Sequence, residues 1–338
     1  MGKKNITFSD IAKYTGFSKT TISRYFNNPD SLTLENQQII ATALEKLNYK
    51  ENKVARILAN GKTEFIGIII PNLYMHYYSE ILNQILKTYD SFGYKFLVFT
   101  GDDHESTERK YIQELLAYKI EGMIILSHTI PSIELASYNI PIVTIEREDQ
   151  FVSSVNTDNY MGALQATSLL IRDKCDILIH INTDVAKEIP SYKRIEAFKK
   201  ACEDRNSKYT CYLSHLGHNF EETYINMSKL YDDIEKNYPN MKKGIFVSND
   251  THANILLNIL IKNKKKIPDE YEIIGFDNSP ISVESIIPIT TVNQDINKIA
   301  DTAMKLILRQ INSKNRGNSV KLENITIDTD LIIRDTTS

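Results

Sequence analysis

The sequence predicts a small all-α helix-turn-helix head followed by an α/β body of two doubly wound parallel-sheet lobes. Three observations carry this. The first 60 residues hold short helical patterns separated by turn residues. From Phe65 onward, short apolar runs alternate with amphipathic stretches. Charge changes sign between the two parts: residues 1–60 carry nine Lys and Arg against five Asp and Glu, and the remainder 31 against 38. A basic head on an acidic body suggests that only the head meets a polyanion.

In the head, Thr7 with Asp10 makes a capping pair for a helix over about 8–15, ended by Gly16. Ser18 caps a second helix, about 19–26, with Ile22, Tyr25 and Phe26 at helical spacing. "NNPDS" interrupts the chain, because proline cannot continue a helix and Asn and Asp favour turns. Thr33 starts a third helix whose buried stripe is Ile39, Ile40, Ala43, Leu44 and Leu47. The second helix presents Lys19, Thr20, Thr21, Ser23 and Arg24, side chains that bond base edges and phosphates when a helix enters a major groove. A solvated polar face on an ordinary three-helix bundle accounts for the same residues.

"NKVARILANGKT" (52–63) is helical in pattern but too short to be stable alone, and Asn60-Gly61 ends it. In the body, strands are expected at 65–70, 95–100, 122–127, 140–145, 176–181, 244–248 and 272–276, with helices at 77–92, 105–118, 160–172 and 190–204. Continuous apolar strands joined by helices indicate parallel sheets covered on both faces. The expected organisation is a head over 1–50, a linker over 51–63 and a body over 64–338. The N-lobe takes 64–159 plus 292–317, and the C-lobe 160–291 plus 318–338.

Several classes are disfavoured. Cys175, Cys202 and Cys211 have no CxxC spacing and read as thiols in a reducing compartment. No apolar h-region follows the N-terminal lysines, and no apolar run reaches the roughly 18 residues of a membrane span, so a cytoplasmic protein without membrane contact is expected. Walker A, GxGxxG after a strand, HExxH and GxSxG are all missing. His215 and His218 lack supporting Cys or carboxylates, so no metal and no cofactor are expected.

Taken together, "ITFSDIAKYTGFSKTTISRYFNN", "LNYKENKVARILANGKTEFIGIIIPNL" and "EIIGFDNSPISVESIIPITTVNQDI" resemble the lactose-repressor (LacI/GalR) family of bacterial transcription regulators, in the right order over essentially the whole chain. The resemblance implies a body like the periplasmic sugar-binding proteins. It implies that Lys19 and Thr20 touch bases and Arg24 reads a guanine, while Ser18, Thr21, Ser23 and Asn27 anchor the backbone. It further implies that paired linker helices enter the minor groove of a palindromic operator, with Leu58 wedged into the central step and Val54 and Ala55 facing the groove or the partner helix. The alternative for Leu58 is a small apolar core. A homodimer follows, since one head buries too little surface for specificity; helix 294–312 is the expected place of dimer contacts.

In the body the resemblance places effector contacts at Arg147, Asp158, Arg194, Asn249 and Asp277, with Phe220 against an apolar sugar face and Tyr74 and Tyr77 at the entrance. Each has a plainer reading: a turn residue or cap for Asp277 and Asn249, an ion pair for Arg194, a helix N-terminal acid for Asp158, core for Phe220. Near-balanced charge favours a neutral sugar over a sugar phosphate. "FVSSVNTDN" and "ESIIPITTVNQ" are most similar to regulators of sucrose or related oligosaccharide operons. "IRDKCD" and Ala197 depart from the family, which usually has glycine there. A repressor controlled by a small sugar is the expected function; a phosphocarrier corepressor stays open. The competing readings are a carbohydrate-acting enzyme, with Asp158 and Asp277 as acid and base, and a sugar-binding protein using the same cleft.

Overall fold

The computed structural model describes residues 6–50, 61–102 and 104–338. Val54, Ala55 and Leu58 lie outside the described residues. The chain divides into two compact units, Met1–Lys62 and Thr63–Ser338.

The head contains α1 (Phe8–Thr15), α2 (Lys19–Asn27) and α3 (Leu34–Lys46), with a 3-10 turn at Pro29–Ser31. Thr7 and Asp10 close α1 at its start: the Thr7 amide and hydroxyl both donate to Asp10 Oδ2, at 2.9 and 2.7 Å. Gly16 ends it at φ +78°, a conformation glycine adopts without steric cost. Ile11, Ile22 and Ile40, each fully buried, form the centre of the bundle. Phe8 stacks on Phe26 at 5.1 Å, and Tyr25 meets Phe26 edge-on. The aromatics of "SRYFNN" are therefore partly buried against the core, and its polar residues are left outside.

The body holds two six-stranded sheets. The first comprises β1 (Phe65–Ile70), β2 (Lys95–Thr100), β3 (Gly122–Ile125), β4 (Ile142–Ile145), β5 (Ser153–Thr157) and β11 (Asn324–Ile327), in the order β11-β5-β4-β3-β1-β2. The second comprises β6 (Ile177–Asn182), β7 (Tyr209–Leu213), β8 (Lys243–Val247), β9 (Tyr271–Asp277), β10 (Thr290–Gln294) and β12 (Thr329–Ile332), in the order β12-β10-β9-β8-β6-β7. Every pairing is parallel except β10 with β12. Isoleucine-rich strands packed on both faces form the apolar centre of each lobe.

The structure corrects the expected lobe boundaries at both returns of the chain. Residues 292–294 lie in β10 of the second lobe. The segment 318–338, expected wholly in the C-lobe, splits: Asn324–Ile327 pairs with β5 of the first lobe, and only Thr329–Ile332 joins the second. The physical reason is the polarity of β5. Its Ser153, Ser154 and Asn156 are buried and require partners; Ser154 Oγ donates to Asn324 Oδ1 at 2.9 Å and the Glu323 amide donates to Ser153 Oγ at 3.0 Å.

Three short connections join the lobes, after Thr157, Gln294 and Ile327. They are bonded to one another: Thr157 Oγ1 donates to Gln294 Oε1 (2.5 Å), and the Asp158 amide to the Ile327 carbonyl (2.9 Å). Helix Ile296–Asn315, which covers the expected place of dimer contacts, turns Ile299, Ala303, Met304, Ile307 and Ile311 into the first lobe. All three cysteines are free.

Candidate functional site

The head offers a charged surface on a rigid support. Ser18 caps α2, its Oγ accepting the Thr21 amide at 3.1 Å and lying 2.9 Å from Thr21 Oγ1. Asn27 Nδ2 donates to Ser23 Oγ at 3.1 Å. These bonds fix the helix, while Lys19, Thr20 and Arg24 remain exposed on it. With Ile22 fully buried on the opposite side, the exposed face suits insertion into a major groove.

In the body, a cavity of about 590 Å³ lies between the lobes, a volume suited to a small molecule. It is built from loops that leave the carboxyl ends of strands in both sheets, the usual position of ligands in parallel α/β folds. Asn72 follows β1, His128 β3, Glu146 β4, His215–His218 β7, and Ser248 and Asn249 β8; Asn182, Asp277 and Gln294 end β6, β9 and β10.

Four expected residues reach this wall: Arg194, Asn249, Asp277 and Tyr77. Arg194 is 7% exposed; its Nε donates to Asn159 Oδ1 at 2.7 Å and Nη1 to the Ser248 carbonyl at 2.6 Å. Its guanidinium lies 3.5 Å from the centre of the Phe276 ring, a cation–π contact that locks the plane of the fork. Asn249 both caps helix Asp250–Lys262, accepting the His252 amide at 2.8 Å, and lines the cavity. Asp277 accepts from Gln294 Nε2 at 2.6 Å and sits at φ +115°. Burial, then the neighbouring Asp250 carboxyl, hold the Asp277 pKa well above the usual carboxylate range. A strained turn at the end of a strand, carrying a carboxyl that resists ionisation, is the kind of feature that accumulates at ligand sites.

The others are placed elsewhere. Arg147 gives its guanidinium to the carbonyls of Ser127 (3.3 Å), His128 (3.4 Å) and Ile130. It shapes the loop that carries His128, and the preceding Glu146, which turns the chain at φ +57°, is the residue on the wall. Asp158 caps helix Asn159–Arg172 through the Met161 amide (3.0 Å). Phe220 opens helix Phe220–Asn237 at 58% exposure, away from the cavity; the residues just before it line the wall instead. Tyr74 packs against the apolar centre of the second lobe. His215 and His218, whose rings are 4.4 Å apart, are exposed residues at the cavity wall, and no group of three metal-type ligands occurs among the described residues.

Electrostatically the wall is close to neutral. Arg194 is the one Lys or Arg among the described lining residues and is matched by Glu146, while Glu105 is paired with Arg109 at 2.7 Å and burial holds Asp277 towards its uncharged form. Burial, and for His128 the nearby Arg147 charge as well, lowers the pKa of His128 and His252 to about 4, so both are neutral at pH 7. Carboxylates, amides and neutral imidazoles in one cleft match a polyhydroxylated, uncharged ligand.

A helix-turn-helix head joined to a two-lobed body with a small-molecule cleft defines a ligand-controlled DNA-binding protein. The comparisons specify it. Residues 7–52 match the family described as bacterial regulatory proteins, lacI family; 63–180 match the periplasmic binding proteins and sugar binding domain of that family; 169–337 match the periplasmic binding protein-like domain. The ribose operon repressor of Halalkalibacterium halodurans is 27% identical over 98% of this chain and 97% of its own. The sucrose operon repressor of Streptococcus mutans is 28% identical over 90% and 92%. The lac repressor dimer bound to operator and an anti-inducer superposes over 99% of both chains, with a TM-score of 0.81 at 20% identity. The chain belongs to the LacI family of bacterial transcription regulators. It is a DNA-binding regulator and not an enzyme. No helix among the described residues is long and apolar enough to cross a membrane.

Proposed function

We propose that the protein is the repressor of a carbohydrate-utilisation operon, a homodimer on a palindromic operator, with operator affinity set by a neutral sugar bound between the lobes. The observation that carries this is the cavity wall: three carboxyl groups and one internally bonded arginine, drawn from both lobes, in a family of operon regulators. A ligand touching both lobes changes their relative stability, and the short connections transmit that change towards the head. A coupling of about 1–3 kcal/mol corresponds to roughly a 5–150-fold change in operator affinity.

The DNA contacts proposed are Lys19, Thr20 and Arg24 on bases, Ser18, Thr21, Ser23 and Asn27 on the backbone, and Leu58, Val54 and Ala55 in the minor groove. The test begins with an operator selected from a random duplex pool. Fluorescence anisotropy then follows its binding to the full chain with and without D-ribose, sucrose and D-fructose. A change of at least fivefold with one sugar supports the reading; turnover of any of them, or no effect of any on the operator, sinks it. Leu58→Ala is expected to weaken operator binding more than tenfold and leave sugar binding intact.

A further inference from the structure

His252 carries no role in the sequence-level reading, yet it occupies an unusual position. It is the third residue of helix Asp250–Lys262, 1% exposed, and it belongs to the cavity wall. Its ring has one satisfied nitrogen and one that is not. Asn249 fixes which is which. The Asn249 Oδ1 accepts the His252 backbone amide, so the same side chain's Nδ2 is the group facing the ring, 3.0 Å from Nδ1. An amide nitrogen has only hydrogens to offer, so Nδ1 must accept. The single proton of the neutral imidazole is thereby assigned to Nε2. That Nε2–H is buried and has no partner among the described residues.

A buried donor without an acceptor is costly in a folded chain, and such groups are rare unless something completes them. From the opposite lobe, Tyr77 presents a second case. It lines the same cavity, and its hydroxyl is likewise buried and unpartnered. Two unsatisfied polar atoms, one on a wall residue of each lobe and both without accessible surface, point to a bridging group that reaches them as the lobes close around it.

We propose that His252 is a specificity-determining donor of the effector site: its Nε2–H hydrogen-bonds an acceptor oxygen of the neutral sugar, while Tyr77 bonds the same ligand from the other lobe. This rests on the effector reading given above. The division of labour is chemical. Glu146 accepts hydrogen bonds from ligand hydroxyls; His252 donates one to an oxygen with a free lone pair, such as a ring or glycosidic oxygen. A neutral imidazole does so without adding a charge, which keeps the wall close to neutral.

The test uses the full-length protein with D-ribose, sucrose and D-fructose in isothermal titration calorimetry, beside thermal melting without sugar. His252→Met keeps the bulk and removes the donor. The expected result is at least a tenfold weaker affinity for the sugar that binds wild type, with a ligand-free Tm equal to or above that of wild type. A structural histidine would instead lower that Tm. His252→Gln, which retains an N–H donor, is expected to recover part of the affinity. Sugar binding to wild type that His252→Met leaves within twofold overturns the proposal and spares the effector reading. No binding of any of the three to wild type overturns both. Histidine 15N spectra of wild type provide a readout independent of the variants: a proton on Nε2 that shifts on sugar saturation is expected, and a proton on Nδ1, or an unmoved Nε2, rejects the assignment.

Discussion

Arg194 Nε donates to Asn159 Oδ1 at 2.7 Å, and through that amide the cation of the second lobe is tied to the carboxylate of the first. Asn159 Nδ2 donates in turn to Glu146 Oε2 at 2.8 Å, while Glu146 Oε1 accepts the Thr157 amide at 2.6 Å. Asn159 stands at the first connection between the lobes, fully buried. Three residues from two lobes and their joint thus form one bonded chain along the cleft.

Asn159→Ala breaks this chain at its centre, removing one hydrogen bond from Arg194 Nε and one from Glu146 Oε2. Buried hydrogen bonds to charged groups contribute about 1.5–3 kcal/mol each, so urea unfolding of the body is expected to show a loss of at least about 2 kcal/mol. The same variant should respond to sugar with a smaller change in operator affinity. A loss below about 0.5 kcal/mol would mean that the amide is a spectator.

Gly275→Ala tests the packing behind the cleft. A Cβ at this position of β9 would lie 2.2 Å from Asp250 Oδ1. That carboxyl cannot retreat, since Thr291 Oγ1 donates to Oδ1 at 2.6 Å and the Ser279 amide to Oδ2 at 2.8 Å. Overpacking of this kind costs about 1–3 kcal/mol, and the added loss of bonds puts the expectation at the upper end. A Tm within a degree of wild type would count against the rigidity of the Asp250 cradle.

Much of the fold was legible because its central strands are apolar and buried on both faces; "FIGIII" and "DILIHI" announce themselves. The strands that escaped notice are polar. "SSVNT" is wholly buried, yet it reads as a loop, because its partners Asn324 and Gln310 lie more than 150 residues away in sequence. Only tertiary pairing explains why such residues are inside. At the cleft, Asn249 and Asp277 stood out as amide and acid at strand ends, and Arg194 as a charge near the start of a helix. Arg147 misled by one position: the left-handed turn at Glu146 puts the carboxylate on the wall, and no periodicity reveals such a turn. His252 gave no signal, since what distinguishes it is the missing partner of one nitrogen.

Arg24 and Lys19 are both exposed on α2, and Arg24 offers the sharper test of the proposed base contacts. Arg24→Ala, removing a guanine contact, should cost about 1–3 kcal/mol on the operator and little on unrelated DNA. Wild-type binding should fall steeply with salt. Competitive anisotropy against unrelated duplex separates the cases: an equal loss on both duplexes would reassign Arg24 to the phosphates.

The buried histidines predict an acid-labile body. Burial lowers His180, stacked between Phe198 and Phe246, to about 3, and His128 and His252 to about 4. Their unfolded value is about 6.5. Below it the unfolded chain binds protons that the folded chain refuses. Stability from this source is therefore present above pH 6.5 and lost as pH falls towards 4. At pH 5 each such group costs about 2 kcal/mol relative to pH 7.5. Asp250 and Asp277 work in the opposite sense, because burial raises both, and their contribution is lost as pH rises through the folded values. The net slope in wild type is thus a difference of two effects, and one variant isolates the histidine part. His180 Nδ1 lies 2.9 Å from the Phe246 carbonyl, a bond that a glutamine amide can replace. His180→Gln is expected to lose stability at pH 7.5 through poorer stacking, and to recover about 2 kcal/mol relative to wild type by pH 5. Urea midpoints at the two pH values measure this; curves for variant and wild type that stay parallel would show that His180 takes up its proton in the folded state.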